Sequence, residues 1–400
     1  MAILGAIMFG KIFLVLYVLA QILISVLTEY SINNSKRFSR AGNKTRLIRI
    51  FIYAFLAVVP VLGAYLPKSP LKFFCMKWGN IWLGFFIYYS IFVLLLLPVL
   101  YIIVKKGKRE DASLVGRAFQ FAFLAALIIF VSGLVHAQNP KYVNYDIELT
   151  NASAKGESLK IVLLADLHLS VNSEVKATEK MVELVNECDP DVVVIAGDIF
   201  TSNFEGLKDP EKYSAALSRM QAKYGVYAVY GNHDVDENLI GGFSISPVSE
   251  AFRTPEMEKF FADSGFNVLY DEGVDIGNGL VTLVGRVDGE KAGDGTSDRL
   301  SPDVLLKDVD KSKPVIVLQH EPIEFKSLAE SGADLVLCGH THNGQIFPGN
   351  LVVPLLTENG YGVKELYGTT TVVTAGVGYY GPPMRVGTDS EVTVVNVTFK

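Results

Sequence analysis

The sequence contains few cysteines and no repeated or low-complexity segment. Its three cysteines, Cys75, Cys188 and Cys338, are widely separated and lack C-x-x-C spacing. An odd and scattered set of cysteines excludes a disulfide framework and a cysteine-rich zinc site. Any metal site in this chain must therefore use other side chains.

Acidic residues are nearly absent from the first third of the chain. Only Glu29, Glu110 and Asp111 occur before residue 141, so 39 of the 42 acidic residues and 21 of the 36 Lys and Arg residues follow it. The C-terminal part thus carries 18 more acidic than basic residues. Because such a charge repels DNA and RNA, we expect no nucleic-acid partner.

The N-terminal part instead holds long apolar segments. Half of all residues are hydrophobic and the mean hydropathy is +0.31, which is high for a soluble enzyme. Four segments, at about 3–27, 48–66, 81–104 and 118–135, approach the roughly 20 residues that a helix needs to cross a bilayer. They predict a transmembrane region over residues 1–140. A cleaved signal peptide is the alternative for the first segment, but its apolar run is long and lacks a clear cleavage site.

The basic residues between these segments predict an orientation. The first connecting loop contains six Lys and Arg residues and the third contains five, whereas the second contains three. The positive-inside rule then places the first and third loops in the cytoplasm and both termini outside it. We therefore expect an integral membrane protein whose C-terminal domain is extracytoplasmic.

From residue 141 the pattern changes to short Val- and Ile-rich runs separated by helix-like stretches. Residues 141–157 are interpreted as a linker and residues 158–400 as one domain. Strands are predicted at 161–165, 192–196, 226–230, 281–285, 315–318, 335–337, 371–374 and 392–398, and helices at 174–188, 211–223, 255–263 and 323–330. Strands that alternate with helices indicate a layered α/β domain.

Five of the six histidines directly follow predicted strands. They lie in four blocks, Asp166-Leu167-His168, Gly231-Asn232-His233-Asp234, Gln319-His320-Glu321 and Gly339-His340-Thr341-His342. A fifth block, Gly197-Asp198, follows another predicted strand and adds a carboxylate. A single histidine after a strand is usually just packed, but recurrence at five strand ends is not explained that way. Because strand ends of an α/β sheet meet at one edge, carboxylate, amide and imidazole groups are expected to form a metal site there.

The order of these blocks, D-x-H, G-D, G-N-H-D, H and G-H-x-H, resembles the calcineurin-like metallophosphoesterase superfamily, and in particular its membrane-associated bacterial branch. The resemblance covers residues 158–400 and implies a four-layer αββα sandwich with two divalent metal ions, of manganese, iron or zinc. It implies that His233 is a catalytic acid rather than a ligand. The implied ligands are Asp166, His168 and His342 for one ion, Asn232, His320 and His340 for the other, and Asp198 as the bridge between them.

The chemistry of such a site agrees with those roles. Two cations can share a hydroxide that attacks phosphorus, and an imidazole can protonate the leaving oxygen. Asp234 is predicted to orient His233. Arg385 and Arg286 are candidate substrate ligands because a guanidinium can bind phosphate with two hydrogen bonds. For Arg286 the favoured interpretation is an ordinary surface or ion-paired arginine. Residues 243–252 predict either a lid or an ordinary surface loop.

Three functional hypotheses follow. The first is a membrane-anchored metal-dependent phosphoesterase, such as a phosphodiesterase, that hydrolyses an envelope phosphoester or pyrophosphate. Its substrate is expected to be linked to a lipid, since four spans exceed what a tether requires. The second is a cytoplasmic-face pyrophosphatase of a nucleotide-linked lipid precursor. The third is a catalytically idle metal-dependent binding module, which is disfavoured because no ligand is missing. The metal and the ester class stay open.

Overall fold

The computed structural model describes residues 2–34, 42–106, 112–151, 153–202, 204–240, 243–244 and 246–400. Some residues counted above lie outside these ranges, namely Lys36, Arg37, Arg40, Lys108, Arg109, Glu110 and Asp111, and so does Ile245 within the segment predicted as a lid or surface loop. The chain divides into two compact units. One, here called the helical unit, comprises Met1–Val135, Asn238–Ile245 and Gly381–Met384, and the other, the sheet unit, comprises His136–Glu237, Ser246–Tyr380 and Arg385–Lys400.

The helical unit is built from four long apolar helices. They are α1 (Ala2–Asn34), α2 (Asn43–Tyr65), α3 (Pro70–Lys106) and α4 (Ala112–Ala137). Each contains a candidate span of 19 to 30 residues in which at most a third of the side chains are buried. Helices that expose apolar side chains on most sides require lipid around them. The four predicted apolar helices are confirmed, although α3 begins before the predicted residue 81.

Close contacts at glycine and ion pairs to Glu29 hold these helices together. A Cβ on Gly79 would lie 2.8 Å from the Cα of Pro60, so α2 and α3 approach each other closely only because glycine stands there. Arg49 donates to both carboxylate oxygens of Glu29, at 2.7 and 3.0 Å. A short hairpin, β5 (Leu239–Ile240) and β6 (Phe243–Ser244), belongs to the same unit and includes the start of the predicted lid.

The sheet unit contains two six-stranded sheets. The first has the order β1-β14-β2-β3-β4-β7 and the second the order β12-β13-β11-β10-β9-β8. The strands are β1 (Lys141–Leu149), β2 (Ser158–Leu164), β3 (Val192–Ala196), β4 (Val226–Val229), β7 (Asn267–Val268), β8 (Glu272–Ile276), β9 (Val281–Gly285), β10 (Val315–Leu318), β11 (Leu335–Cys338), β12 (Gly362–Leu366), β13 (Thr369–Val373) and β14 (Glu391–Phe399). In each sheet the central strands that carry the site are parallel.

Residues 141–149 correct the predicted linker. They form β1, which pairs in parallel with β14 along nine consecutive residues, from Lys141 opposite Glu391 to Leu149 opposite Phe399. Most side chains of β1 are exposed, because it is an edge strand with one covered face. The first strand of the sheet therefore follows α4 after only a short connection.

Alternation along the strands builds three apolar layers. Ile161 and Leu163 point into a core shared with Ile316 and Leu318 of the second sheet, whereas Val162 and Leu164 face away from it. This follows from the two-residue period of a strand. The outer face of the first sheet packs on α5 (Val175–Glu187), α6 (Pro210–Leu217) and α7 (Pro255–Asp263), and that of the second on α8 (Pro302–Leu305) and α9 (Phe325–Glu330).

The result is the expected four-layer arrangement of helices, sheet, sheet and helices. Helix α7 spans the predicted residues because Thr254 caps it, accepting from Met257 N at 3.3 Å, and Pro255 occupies its first turn. Helix α6 ends at Leu217, earlier than the predicted residue 223. A further helix, α10 (Gly349–Leu356), was not predicted.

Candidate metal centre

The predicted ligands lie on five loops, each of which follows a strand. Strands β2, β3 and β4 are neighbours in the first sheet, and β10 and β11 are neighbours in the second. Their carboxyl ends open toward one place, as parallel α/β sheets require. The loops supply Asp166 and His168 after β2, Asp198 after β3, Asn232 and His233 after β4, His320 after β10, and His340 and His342 after β11.

The backbone at these loops adopts a rarely populated conformation. Five of the ligand residues have φ between 48° and 75°, in the left-handed region that non-glycine residues seldom occupy. They are Asp166, His168, Asp198, His340 and His342. Such a conformation persists only where the surrounding sheet fixes it, so the donor atoms are held in position by the fold.

Two glycines permit this close packing of loops. A Cβ on Gly231 would lie 2.2 Å from Oδ1 of Asp198, and a Cβ on Gly339 would lie 2.4 Å from Cβ of Ala165. Both distances are far below ordinary contact. Glycine is therefore required at these two positions for steric reasons.

One group of donors is formed by Asp166, His168 and His342. The Nε2 atoms of the two imidazoles are 2.9 Å apart, and they lie 3.8 and 3.5 Å from Oδ1 of Asp166. All three side chains are buried. Three donor atoms that lie within 4.8 Å of one another match the requirement of a divalent ion.

The second group is formed by Asn232, His320 and His340. Nε2 of His320 is 3.0 Å from Oδ1 of Asn232 and 3.2 Å from Nδ1 of His340. Asp198 stands between the groups, since its Oδ2 is 3.2 Å from Nε2 of His320 and 3.5 Å from Nε2 of His168. The seven side chains predicted as ligands are thus brought close to one another, with Asp198 beside both groups.

Outer contacts aim the donor atoms inward. Nδ1 of His168 is 2.9 Å from Oγ1 of Thr201, and Nδ1 of His320 is 2.7 Å from the Ala196 carbonyl, which leaves both Nε2 atoms for an ion. Nδ2 of Asn232 donates to Oε2 of Glu290 at 2.7 Å, so its Oδ1 faces the centre. Such contacts fix the orientation of metal ligands. The set of nitrogen and oxygen donors fits manganese, iron or zinc.

The electrostatics of the pocket favour neutral imidazoles and attract positive charge. Burial lowers the pKa of His168 and of His340 to about 3, so both rings are in the form that binds metals. Burial raises the pKa of Asp166 to about 7. Burial would lower the pKa of His320, but nearby carboxylates, Asp198 first, more than offset this effect and raise it well above its usual value. The carboxylates around His320 thus favour positive charge at this member of the second donor group.

His233 lies beside the donors but its ring points to a different partner. Its Nδ1 is 3.2 Å from Oε1 of Glu237, while its backbone N–H donates to Oδ1 of Asp198 at 2.8 Å. Glu237 is fully buried and also receives Nζ of Lys291, 2.9 Å from both carboxylate oxygens, and Oγ of Ser202 at 3.1 Å. Glu237 is therefore the acid that orients His233, and sequence motifs did not identify it.

Asp234 takes a different role from the predicted one. Its two carboxylate oxygens accept the backbone N–H groups of Phe200 and Gly231, at 2.9 and 2.8 Å. Asp234 therefore ties the loop after β3 to the loop after β4, and these contacts replace the predicted orientation of its sequence neighbour His233.

Tyr380 is a second residue that motif analysis missed. Its ring stacks on His233 with centroids 4.5 Å apart and lies 5.1 Å from the ring of His168. Its backbone N–H donates to Oε1 of Gln345 at 2.7 Å, which fixes it against the loop that carries His342. Tyr380 thus covers one face of the His233 ring.

The two arginines considered above are structural. Arg385 is fully buried and donates to the backbone carbonyls of Ala375, Gly378 and Asp389 at 2.6 to 2.9 Å, so the predicted contact with substrate is replaced by a loop-bracing role. Arg286 pairs with Glu324 at 2.6 Å and donates to Gln319 at 3.1 Å.

Comparisons with known proteins agree with this geometry. The family model for the calcineurin-like phosphoesterase matches residues 159–344. A transmembrane protein with metallophosphoesterase domain from Danio rerio is 30% identical over 377 residues, which cover 89% of this chain and 81% of the relative. An uncharacterized metallophosphoesterase of Campylobacter jejuni is 28% identical and aligns with 94% of this chain and 97% of its own length.

A further relative matches about two thirds of the chain. An uncharacterized metallophosphoesterase of Aquifex aeolicus is 33% identical over 261 residues, which cover 64% of this chain and 91% of the relative. The relatives named as transmembrane proteins, together with α1 to α4, indicate membrane association. The order of the motifs, the four-layer fold and these similarities lead to one conclusion: the chain belongs to the calcineurin-like metallophosphoesterases and is a metal-dependent phosphoric ester hydrolase.

Proposed function

We propose that this protein is a membrane-anchored phosphoesterase that hydrolyses a phosphoester or pyrophosphate at a centre of two divalent ions. The supporting observation is that seven donor side chains from five loops converge next to an imidazole whose Nδ1 faces a buried carboxylate. Asp166, His168 and His342 would hold one ion and Asn232, His320 and His340 the other, with Asp198 shared.

When bound, the ions supply an activated water and neutralise charge on the phosphoryl group. The protein holds the reacting groups in position. Asp198 accepts the backbone N–H of His233 through Oδ1, and its Oδ2 faces both donor groups. The side chain that would bridge the ions therefore also sets the place of the proposed acid.

His233 would donate a proton to the leaving oxygen. Its Nδ1 faces Glu237, so Nε2 is the atom that can carry the transferred proton, and its side chain is 12% exposed, which leaves a path to substrate. We expect His233→Ala to retain its metal and to lose about a hundredfold or more in kcat on an alkyl phosphodiester. The leaving group of a p-nitrophenyl ester depends less on protonation, so the kcat of His233→Ala on that ester should fall less. Equal activity of His233→Ala and the wild type on the alkyl ester would remove this role.

The substrate is proposed to be an envelope phosphate linked to a lipid, hydrolysed outside the cytoplasm. Four spans exceed what anchoring needs, and the basic residues of the loops favour an external C-terminus. A reporter active in only one compartment, fused after Lys400, tests the orientation. A cytoplasmic signal would favour hydrolysis of a nucleotide-linked precursor on the inner face instead.

Activity is tested with the purified full-length protein in detergent. After chelation, p-nitrophenyl phosphate, bis-p-nitrophenyl phosphate and a panel of lipid phosphates and pyrophosphates are assayed with and without added manganese. We expect hydrolysis that returns with manganese, and Asp198→Asn should lower both metal content and rate because the shared ligand is weakened. Metal-loaded protein that hydrolyses none of these compounds would contradict the proposal.

A further inference from the structure

Helix α10 has an unusual surface. It follows the loop that carries His340 and His342, and its sequence is GNLVVPLL. None of its eight residues, all of which the structure describes, is buried. The exposed apolar residues that we call the α10 surface are Phe347, Leu351, Val352, Leu355 and Leu356, with exposures of 46, 59, 45, 81 and 78%.

This exposure is not explained by the fold of the sheet unit. A helix that is apolar on all sides is normally buried in a protein core or in lipid. Scattered exposed leucines are ordinary, but contiguous apolar side chains on one short helix mark an interaction site. An apolar environment outside the sheet unit must therefore cover this surface.

The charge pattern indicates which environment that is. No Asp, Glu, Lys or Arg occurs between Asp334 and Glu358, although the chain after residue 140 carries 18 more acidic than basic residues. An acidic domain is repelled by an anionic bilayer, and this uncharged stretch is a place where that repulsion is weakest. The absence of charge also removes the cost of placing an ion in a low-dielectric layer.

The candidate membrane spans belong to the same chain as α10. Four candidate spans anchor the protein, so contact of α10 with lipid would be an intramolecular event at high effective concentration. A short apolar helix, too weak to bind a membrane by itself, is sufficient under that condition.

Helix α10 is firmly connected to the metal centre. A Cβ on Gly349 would lie 2.4 Å from the carbonyl oxygen of Gly344, so the loop closes tightly just before the helix begins. Gln345 donates its backbone N–H to the His342 carbonyl at 2.9 Å and fixes Tyr380 through its side chain. Phe347 N–H donates to the Val386 carbonyl at 2.8 Å. The position of α10 is thereby coupled to that of a proposed metal ligand.

We propose that the α10 surface inserts into the boundary between headgroups and acyl chains of the bilayer that holds the protein. The metal centre is then kept at the lipid surface, where it meets phosphates of amphipathic molecules in the same leaflet. The second statement rests on the proposed function; the insertion itself does not.

Insertion is tested with the full-length protein in phosphatidylcholine–phosphatidylglycerol vesicles. An environment-sensitive fluorophore is attached to Leu355→Cys in a Cys188→Ser background, which leaves only the buried cysteines Cys75 and Cys338. The matched control carries the label at Val304→Cys, an apolar position on α8 that is 51% exposed. Lipids with a nitroxide on the upper acyl chain should quench the label at 355 but not the one at 304.

Two results would overturn the insertion. One is equal quenching at both positions. The other is a label at 355 that is shielded from aqueous iodide yet not quenched by lipid, since a protein partner would then cover the helix.

The functional consequence has its own readout. For a lipid phosphate that the substrate panel identifies, Leu355→Ser combined with Leu356→Ser should lower kcat/KM about tenfold in vesicles, because leucine side chains contribute strongly to transfer into lipid. The same double variant should hydrolyse p-nitrophenyl phosphate at the wild-type rate. The control variant Val304→Ser should hydrolyse the lipid phosphate at the wild-type rate. Inactivity on every ester would reject the proposed function and leave the quenching result standing.

Discussion

Replacement of Glu237 by glutamine tests how His233 is controlled. The carboxylate lies 3.2 Å from Nδ1 of His233, and a hydrogen bond to a charged group contributes about 1.5 to 3 kcal/mol. If that interaction holds His233 in the orientation from which it donates its proton, Glu237→Gln should lower kcat/KM on an alkyl phosphodiester roughly 10- to 150-fold. The loss on a p-nitrophenyl ester should be smaller, since that leaving group needs little protonation.

The assay compares both substrates across a double-mutant cycle. Because Glu237 is proposed to act through His233, the combination of His233→Ala with Glu237→Gln should lose no more activity than His233→Ala alone. Additive losses would contradict the proposal that Glu237 acts through His233. Equal slowing of both substrates by Glu237→Gln alone would contradict it as well.

Stability requires a separate control. Glu237→Gln leaves the buried ammonium of Lys291 without its closest carboxylate, and an unpaired buried charge costs about 3 to 5 kcal/mol. Glu237→Gln/Lys291→Met removes both charges together and should recover most of the unfolding free energy, measured with metal bound. It should not recover activity on the alkyl ester, and if it does, the loss in the single variant came from instability.

Three further predictions concern the loops. Gly231→Ala should lower metal content severely, measured by elemental analysis, because its Cβ would lie 2.2 Å from a carboxylate oxygen of Asp198. Burial raises the pKa of Asp166 to about 7, so below that pH an incoming ion must displace a proton. The affinity for the metal ion should therefore rise up to about tenfold per pH unit between about 6 and 7 and then level off, as measured by competition with a chromophoric chelator. Arg385→Met should lower the unfolding free energy by about 3 kcal/mol or more in denaturant titrations, since several buried carbonyls lose their donor.

Most of the candidate metal centre was predictable because each proposed ligand lies within a few residues of the end of an apolar strand. A run such as 192–196 is buried on both faces and is recognisable from composition, so the residue after it is placed at the sheet edge. Helix α7 was equally clear, since Thr254 and Pro255 mark its beginning and its amphipathic pattern marks its length.

The missed features depend on contacts that have no local signal. In β1 most side chains are exposed, so its composition resembles that of a linker, and only pairing with β14 makes it a strand. Glu237 was overlooked because it lies outside every motif and meets His233 only through the conformation of the loop after β4. Arg385 looked like a phosphate ligand from its sequence context, whereas burial turned it toward carbonyl groups.

The left-handed backbone at five ligand residues has a consequence for how the enzyme matures. In small zinc domains the ion itself organises the chain, which unfolds without it. Here the two sheets fix the loops in this strained backbone conformation, which costs about 1 to 3 kcal/mol for each such residue. Burial of the apolar core between the sheets offsets that cost. The fold can therefore form before any metal binds, and the loops then present their donor atoms to whichever divalent ion is available.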